Sequence, residues 1–327
     1  MPFPLRQRLI INHTGFHPPL RRALEDIGLV LDEALWLPNK EQLESAIACY
    51  VWFYDCIRYP LRIWRLKRLL KRHGVPLVTW NRDAPHYLNR KPWRLDWLDR
   101  SRMLDIYASH SLIDTRQFSD QAIYLANAAD TNTYHLNGVE HEVLARLRHP
   151  ENYRHDVSFF GGMDGKRYKE DADREHFFGE LGMRLQARGI SFLFCEAEGM
   201  SVAEQTALIQ ASRINLNYGA RCEYQAPVAS GLPERCFGIP ACGGFLLCDK
   251  RTHARDDFTI GENWAEFDGI DDCVAKIEYW LAHFDDARDL AERCYHHVMA
   301  NHTYRNRATK FHQAMRTWHA ENSGGML

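Results

Sequence analysis

Short apolar runs of strand length alternate with amphipathic helical patterns along nearly the whole chain, and this alternation restricts the fold more than any other feature. RLIIN is a predicted strand that runs into HTGFHPP and a helix around LRRALEDIG, and AIACYVWFYD holds a second strand. The basic helix LRIWRLKRLLKRHG leads to the strand-like VPLVTW, with MLDIYASH and QAIYLAN as further short strands. Between Leu147 and His155 the sequence turns polar, which marks a linker. A second cycle follows with DVSFFGG, the long helix KEDADREHFFGELGMRLQARG capped by Gly189, ISFLFCE, SVAEQTALIQAS, INLNY, LPERCFGIPACG and GFLLCD. From Asp271 onward the pattern is almost entirely helical. Such alternation builds parallel sheets, so two successive α/β domains are predicted.

A chain of 327 residues accommodates two domains with real cores. Its 45% apolar content excludes disorder over most of the length, and a formal charge of −2 gives no global attraction to a polyanion. The nine cysteines include no Cys-x-x-Cys pair and no regular framework, which fits reduced thiols in a cytoplasm. No apolar run approaches the roughly 18 residues needed to cross a bilayer, and the first residues lack a signal-peptide core. A soluble, cytoplasmic protein is expected.

Ligands of open parallel sheets sit beyond the carboxyl ends of strands, and two such domains in succession predict a cleft between them. The stretch GGMDGKR places Gly161, Gly162 and Gly165 after DVSFF, with Lys166 and Arg167 at the start of the next helix. Arg235 begins the PERCFG helix of the same domain. Glycine turns let an anion approach backbone amides, and cations at helix starts complement it. A lone glycine pair is an ordinary turn; its recurrence with cations after two strands favours an anion site. Asp83 and His86, in WNRDAPHY after VPLVTW, suit a general base, while Asp before Pro85 is also ordinary turn chemistry. Asp105 reads as a structural carboxylate at a strand end, and His13 and His17 fall in a loop with Gly15, Pro18 and Pro19 rather than on a metal-binding helix face. In the helix Arg62 to Arg72, a stripe of Ile63, Leu66, Leu69 and Leu70 runs among six cations. Such a helix covers a sheet, lies on an anionic membrane or follows a nucleic-acid backbone.

WNRDAP, DVSFFGG, RINLNY, RCFGIPACGGFLLCD, FTIGENWAEFDGIDDCVAKIEYWL and NHTYRNRA come in one order between Gly74 and Ala308. In that order and spacing the chain resembles the CgeB-like (spore maturation protein) group of glycosyltransferases. The resemblance implies a GT-B fold, with two Rossmann-like domains facing across a cleft: 1–150 on the acceptor side, 151–305 on the donor side, and 306–327 as a helix crossing back. It implies a nucleotide-sugar donor as co-substrate, no other cofactor and no obligatory metal. Donor contacts are then expected from Gly161, Gly162, Lys166, Arg167, Asn217, Glu234, Arg235, Gly238, Gly243 and Gly244, and catalysis from Asp83 or His86. The acceptor stays open among a glycan, a protein, a small molecule and a modified nucleic-acid base, in bacterial or phage glycan or glycoconjugate synthesis. Peripheral membrane contact through Arg62 to Arg72 is an alternative read from that helix's own residues, beside the sheet-covering role that its apolar stripe fits.

One position departs from the group's pattern. Where R-x-F-E-I-P carries a glutamate expected to grip the donor ribose, this chain has Gly238. Glu234, four residues earlier, shares its helix face and is expected to replace that contact across the space left open at Gly238, or the donor sits closer to the backbone there. An ordinary acidic residue of a first helical turn is the other reading of Glu234. A catalytically silent module of the same fold and a nucleotide-sugar epimerase are the alternatives to sugar transfer.

Overall fold

The computed structural model describes residues 6–83, 91–113, 118–219 and 228–322. The chain divides into two compact units, Met1–Ala126 with Tyr304–Leu327, and Asn127–Thr303. In the first, strands β1 (Arg8–Ile11), β2 (Val30–Glu33), β3 (Ala46–Tyr50), β4 (Leu77–Asn81), β5 (Ile106–Ser109) and β6 (Gln121–Tyr124) form a parallel sheet in the order β2-β1-β3-β4-β5-β6. Helices α1 (Pro18–Asp26), α2 (Lys40–Ser45), α3 (Phe53–Arg58), α4 (Pro60–Arg72) and α5 (Pro92–Ser101) lie between them in sequence. Three of these helices begin with proline, whose fixed φ suits a first helical turn. Strands β3, β4 and β5 are buried at every position; β3, AIACY, is apolar or aromatic throughout, while β4 and β5 bury Thr79, Asn81 and Ser109 among their apolar residues. The edge strand β2, VLDE, is half exposed and carries no such run, so the sequence pattern misses it. Ile63, Leu66 and Leu70 of α4 and Leu95 and Leu98 of α5 enter one core cluster with Phe53, Tyr107 and Phe118.

The second unit repeats the plan. Strands β7 (His155–Phe160), β8 (Phe192–Cys195), β9 (Ser212–Asn217), β10 (Leu246–Asp249) and β11 (Ala265–Phe267) form a parallel sheet in the order β11-β10-β9-β7-β8. Its helices are α6 (Glu140–Leu147), α7 (Ala172–Gln186), α8 (Val202–Gln210), α9 (Arg235–Ala241), α10 (Ala254–Asp257), α11 (Gly269–Ala282) and α12 (Phe284–Asn301). Phe159, Phe177, Phe178, Phe245 and Phe267 dominate its core. The strand order reverses between β7 and β9, and such a switch point is where an open α/β sheet binds its ligand.

The boundary between the units falls at 126/127, whereas the sequence reading sets it at 150/151. The difference is the segment 127–150, which the second unit claims by packing: Leu136, Val143, Leu144 and Leu147 cluster with Tyr295 of α12. The last helix, α13 (Tyr304–Asn322), belongs to the first unit. There the Phe311 ring lies 6.5 Å from that of Trp80, and the His319 Nε2 is 2.7 Å from the Ile47 carbonyl oxygen. Among the described residues no helix is long and apolar enough to cross a membrane.

Candidate functional site

A pocket of about 680 Å³ opens at the carboxyl end of β7, beside the switch point of the second sheet. Arg235, the first residue of α9, lines it. Its guanidinium donates from Nη1 to the Phe160 carbonyl at 3.0 Å and lies 5.0 Å over the Phe159 ring. No carboxylate among the described residues is within ion-pair distance of it. Desolvation lowers its pKa, yet a guanidinium stays charged. A half-buried, charged group with unused N–H donors is therefore presented to the pocket.

Gly161 makes that placement available. A Cβ there would lie 2.7 Å from Nη1 of Arg235 and 2.7 Å from the Phe159 ring, so any side chain would displace one of them. The N–H of Gly162, the next residue of the lining, has no partner among the described residues. The carbonyl of Gly162 accepts from Nη1 of Arg174 at 2.9 Å, and Nε of Arg174 donates to the Tyr218 carbonyl at 3.0 Å. This buried arginine of the first turn of α7 joins the chain leaving β7 to the chain leaving β9. Tyr218 itself turns inward, its ring stacked 3.7 Å from that of Phe177.

Lys166 and Arg167 do not stand at a helix start, because α7 begins only at Ala172. Asp164 closes a turn by accepting from the N–H groups of Lys166 at 3.1 Å and Arg167 at 2.9 Å, and the Gly165 N–H donates to Glu175 at 3.0 Å. Both side chains are exposed. The Arg167 guanidinium is engaged with Glu198 at 2.7 Å, and that charge is the main reason its pKa is raised. Glu198 lines the pocket, as does Glu196, which accepts from the Met163 N–H at 2.7 Å.

The space at Gly238 is not open, contrary to the sequence reading. The Tyr134 ring covers it: a Cβ on Gly238 would lie 2.8 Å from the ring. The Tyr134 hydroxyl is 3.1 Å from Oε1 of Gln205, and burial, with Glu234 nearby, pushes its pKa up to about 12. It remains a protonated donor at any physiological pH. Glu234 occupies the N-cap position of α9 with helical angles (φ −54°, ψ −34°) and makes no capping hydrogen bond from its side chain. It lines the pocket together with Tyr134.

The remaining donor candidates lie elsewhere in the same unit. Asn217 is buried at the end of β9 and donates to Asp249 at 2.6 Å. Gly243, at φ +75°, packs under Leu136 and Leu147, and Gly244 packs against Ile209 and Ile239. These three residues hold β9, α9 and β10 together and are not part of the pocket lining. In the first unit, Asp83 follows β4 and its N–H donates to Oδ1 of Asn81 at 3.3 Å, a turn contact. His86 lies outside the described residues. Asp105 accepts from the Leu77 N–H at 2.7 Å and pairs with Lys67, the structural role expected of it. Among the described residues no three His, Cys, Asp or Glu side chains are grouped as metal ligands.

Sequence reasoning missed Tyr134, Tyr168, Arg174, Glu196, Glu198 and Gln205 of the lining. Glu196 and Glu198 directly follow β8, so the rule that found Gly161 applied equally to them. Tyr134 carried no such mark, since it lies in a turn-rich stretch far from any strand of its own unit.

Residues 150–313 match the model of a family described as glycosyl transferase-like. Sucrose-phosphate synthase from Thermosynechococcus elongatus superposes with a TM-score of 0.62 at 12% identity, over 97% of this chain and 100% of its own. HepE of Anabaena, solved with UDP, gives 0.56 at 11% identity over 95% and 100%. An alpha-glucosyltransferase solved with UDP and a DNA carrying an A:G mismatch gives 0.55 at 10% identity over 94% and 99%. These likenesses concern the fold, and they place the two parallel sheets with their flanking helices in the GT-B class over nearly the whole chain. No curated protein matches this chain.

Proposed function

The chain belongs to the glycosyl transferase-like family, and on that footing we propose that it transfers a sugar from a nucleotide-activated donor to a hydroxyl-bearing acceptor. The observation that carries this reading is the Arg235 guanidinium, charged, half-buried and without a carboxylate partner among the described residues, at the edge of the β7 pocket. A departing nucleoside diphosphate develops negative charge that fixed donors stabilise best where water is partly excluded. Arg235 and the Gly162 N–H supply such donors, so the diphosphate is assigned to them. Glu234 and Glu196 accept hydrogen bonds and suit the hydroxyls of ribose or sugar, while the Tyr134 ring forms a wall of the pocket. Transfer on this reading needs no metal, and activity in the presence of a chelator tests that point.

On the acceptor side the first unit offers Asp83, which lies past the carboxyl end of β4 and would take the acceptor proton as general base. Glycan, protein, small-molecule and hydroxyl-modified nucleobase acceptors can all carry the required nucleophile, and the six ordered motifs favour the CgeB-like group within the family. UDP-glucose, bound in HepE, is the first donor to try, and UDP, bound there too, the first diphosphate ligand. A thermal-shift screen of nucleoside diphosphates and their sugars should find a ligand that raises the melting temperature, and coupled assays should detect release of the same diphosphate. Binding without turnover under any acceptor would favour the silent module, and no binding at all would remove the donor site.

A further inference from the structure

The inward stripe of α4 is accounted for by the core of the first unit, but its outer face is not. Leu61 is 74% exposed and Trp64 46% exposed, and with Arg65, Arg68, Lys71 and Arg72 they occupy positions three and four apart on the solvent side. Solvated helix faces ordinarily carry charged and polar residues rather than neighbouring large apolar ones. Beside the start of α4, the chain leaving β2 presents Trp36 at 77% and Leu37 at 58% exposure. Arg62 fixes that stretch by donating to the Leu35 carbonyl and lying 5.6 Å over the Trp36 ring. Helix α5 enters the same core cluster, and successive right-handed crossovers place α4 and α5 on one face of the sheet. It too exposes indoles, Trp93 and Trp97, with Arg94 stacked 5.4 Å over Trp93.

The charges of α4 are one-sided, six cations and no carboxylate, while α5 carries Asp96 and Asp99 beside its arginines. Among the described residues Arg58, Arg65, Arg68, Lys71 and Arg72 have no carboxylate within ion-pair distance; Lys67, on the inner flank, is paired with Asp105. Indole, leucine and unpaired cations in one patch match the layered chemistry of a bilayer surface, where apolar groups enter the headgroup boundary and cations meet lipid phosphates. A nucleic-acid backbone would engage the cations and leave Leu37 and Leu61 in water.

We propose that this face of the first unit docks on an anionic lipid bilayer, with Trp36, Leu37, Leu61 and Trp64 entering the headgroup layer and Arg58, Arg65, Arg68, Lys71 and Arg72 contacting lipid phosphates. The docking is independent of the donor reading, since none of these residues belongs to the second unit.

Co-sedimentation of the full chain with vesicles of phosphatidylcholine alone, and of phosphatidylcholine with phosphatidylglycerol, tests it. The protein should bind the anionic vesicles only, lose binding as salt is raised, and shift its tryptophan emission to the blue. The variant Trp36→Ser/Leu61→Ser and the variant Arg65→Glu/Arg68→Glu should each weaken binding by about tenfold or more, because apolar insertion and charge act together. Unchanged melting temperatures would exclude misfolding as the cause. Failure of the parent protein to bind anionic vesicles overturns the proposal. So does vesicle binding that survives Trp36→Ser/Leu61→Ser, or preferential binding to single-stranded DNA lost only in the charge variant.

Discussion

The two units share a sheet plan, β2-β1-β3-β4 in the first and β8-β7-β9-β10 in the second, yet they use an arginine at the switch-point edge in opposite ways. In the first unit Arg62 donates to Oδ1 of Asn12 at 2.8 Å and to the Leu35 carbonyl, and the Asn12 amide in turn donates to the Trp36 carbonyl at 2.7 Å. Its donors hold the chain leaving β2 to the end of β1. In the second unit Arg235 makes one bond to the strand end and keeps its remaining donors toward a pocket. Topology fixes where a site can form, and the partners of one guanidinium decide whether the edge is fold or site.

Exchanging the fates of these arginines is the strongest way to break the comparison. Arg235→Ala should cost about 1.5–3 kcal/mol of donor binding, roughly 10- to 150-fold by calorimetry, because a charge-assisted contact is lost. Arg62→Ala should leave donor affinity unchanged and lower unfolding stability by about 1–3 kcal/mol in denaturant titration. Loss of donor binding in both variants, or in neither, would end the distinction.

A packing experiment sharpens it within the second unit. Gly238→Ala should destabilise by about 1–3 kcal/mol, since its Cβ meets the Tyr134 ring at 2.8 Å, and should cost much less in a Tyr134→Ala background. Additive effects in that double-mutant cycle would mean that the ring does not determine the glycine. Arg167→Ala should change donor affinity by no more than about threefold, because an exposed ion pair with Glu198 already occupies the guanidinium. A larger loss would return Arg167 to the donor site.

The smallest expected effect again separates the units. Both have a helix with a capping box, α2 through Asn39 and neutral Gln42, and α8 through Ser201 and Glu204. The hydrogen bonds from Ser201, side chain first and then backbone, lower the Glu204 pKa. A folded-state pKa below the unfolded value stabilises above the ordinary glutamate range and is lost as pH falls through the folded value. Acidification should therefore increase amide exchange at the start of α8 before that of α2, and Ser201→Ala should abolish the difference.

What the sequence determined alone is what short-range physics controls. Buried strands such as GFLLCD, with its run Phe245 to Cys248, read as strongly apolar because both faces are covered, and proline and capping residues mark helix starts because they satisfy local backbone needs. From these the α/β class with two parallel sheets was legible, and so was the rule that put Gly161, Gly162 and Arg235 after strands, where they line one pocket with Glu234, which the family resemblance alone had singled out. Lys166 and Asn217 satisfied the same rule and lie outside the lining, because proximity to a strand end does not say which way a side chain turns, and Gly243 and Gly244, expected only from the family resemblance, pack beneath leucine and isoleucine side chains instead. Tertiary structure alone decided that Arg235 fills the room Gly161 lacks a side chain to occupy, that Tyr134 covers Gly238, and that 127–150 packs with the second unit. Each of these is a close approach between segments distant in sequence, set by the volume left between packed elements rather than by the conformational preference of either segment.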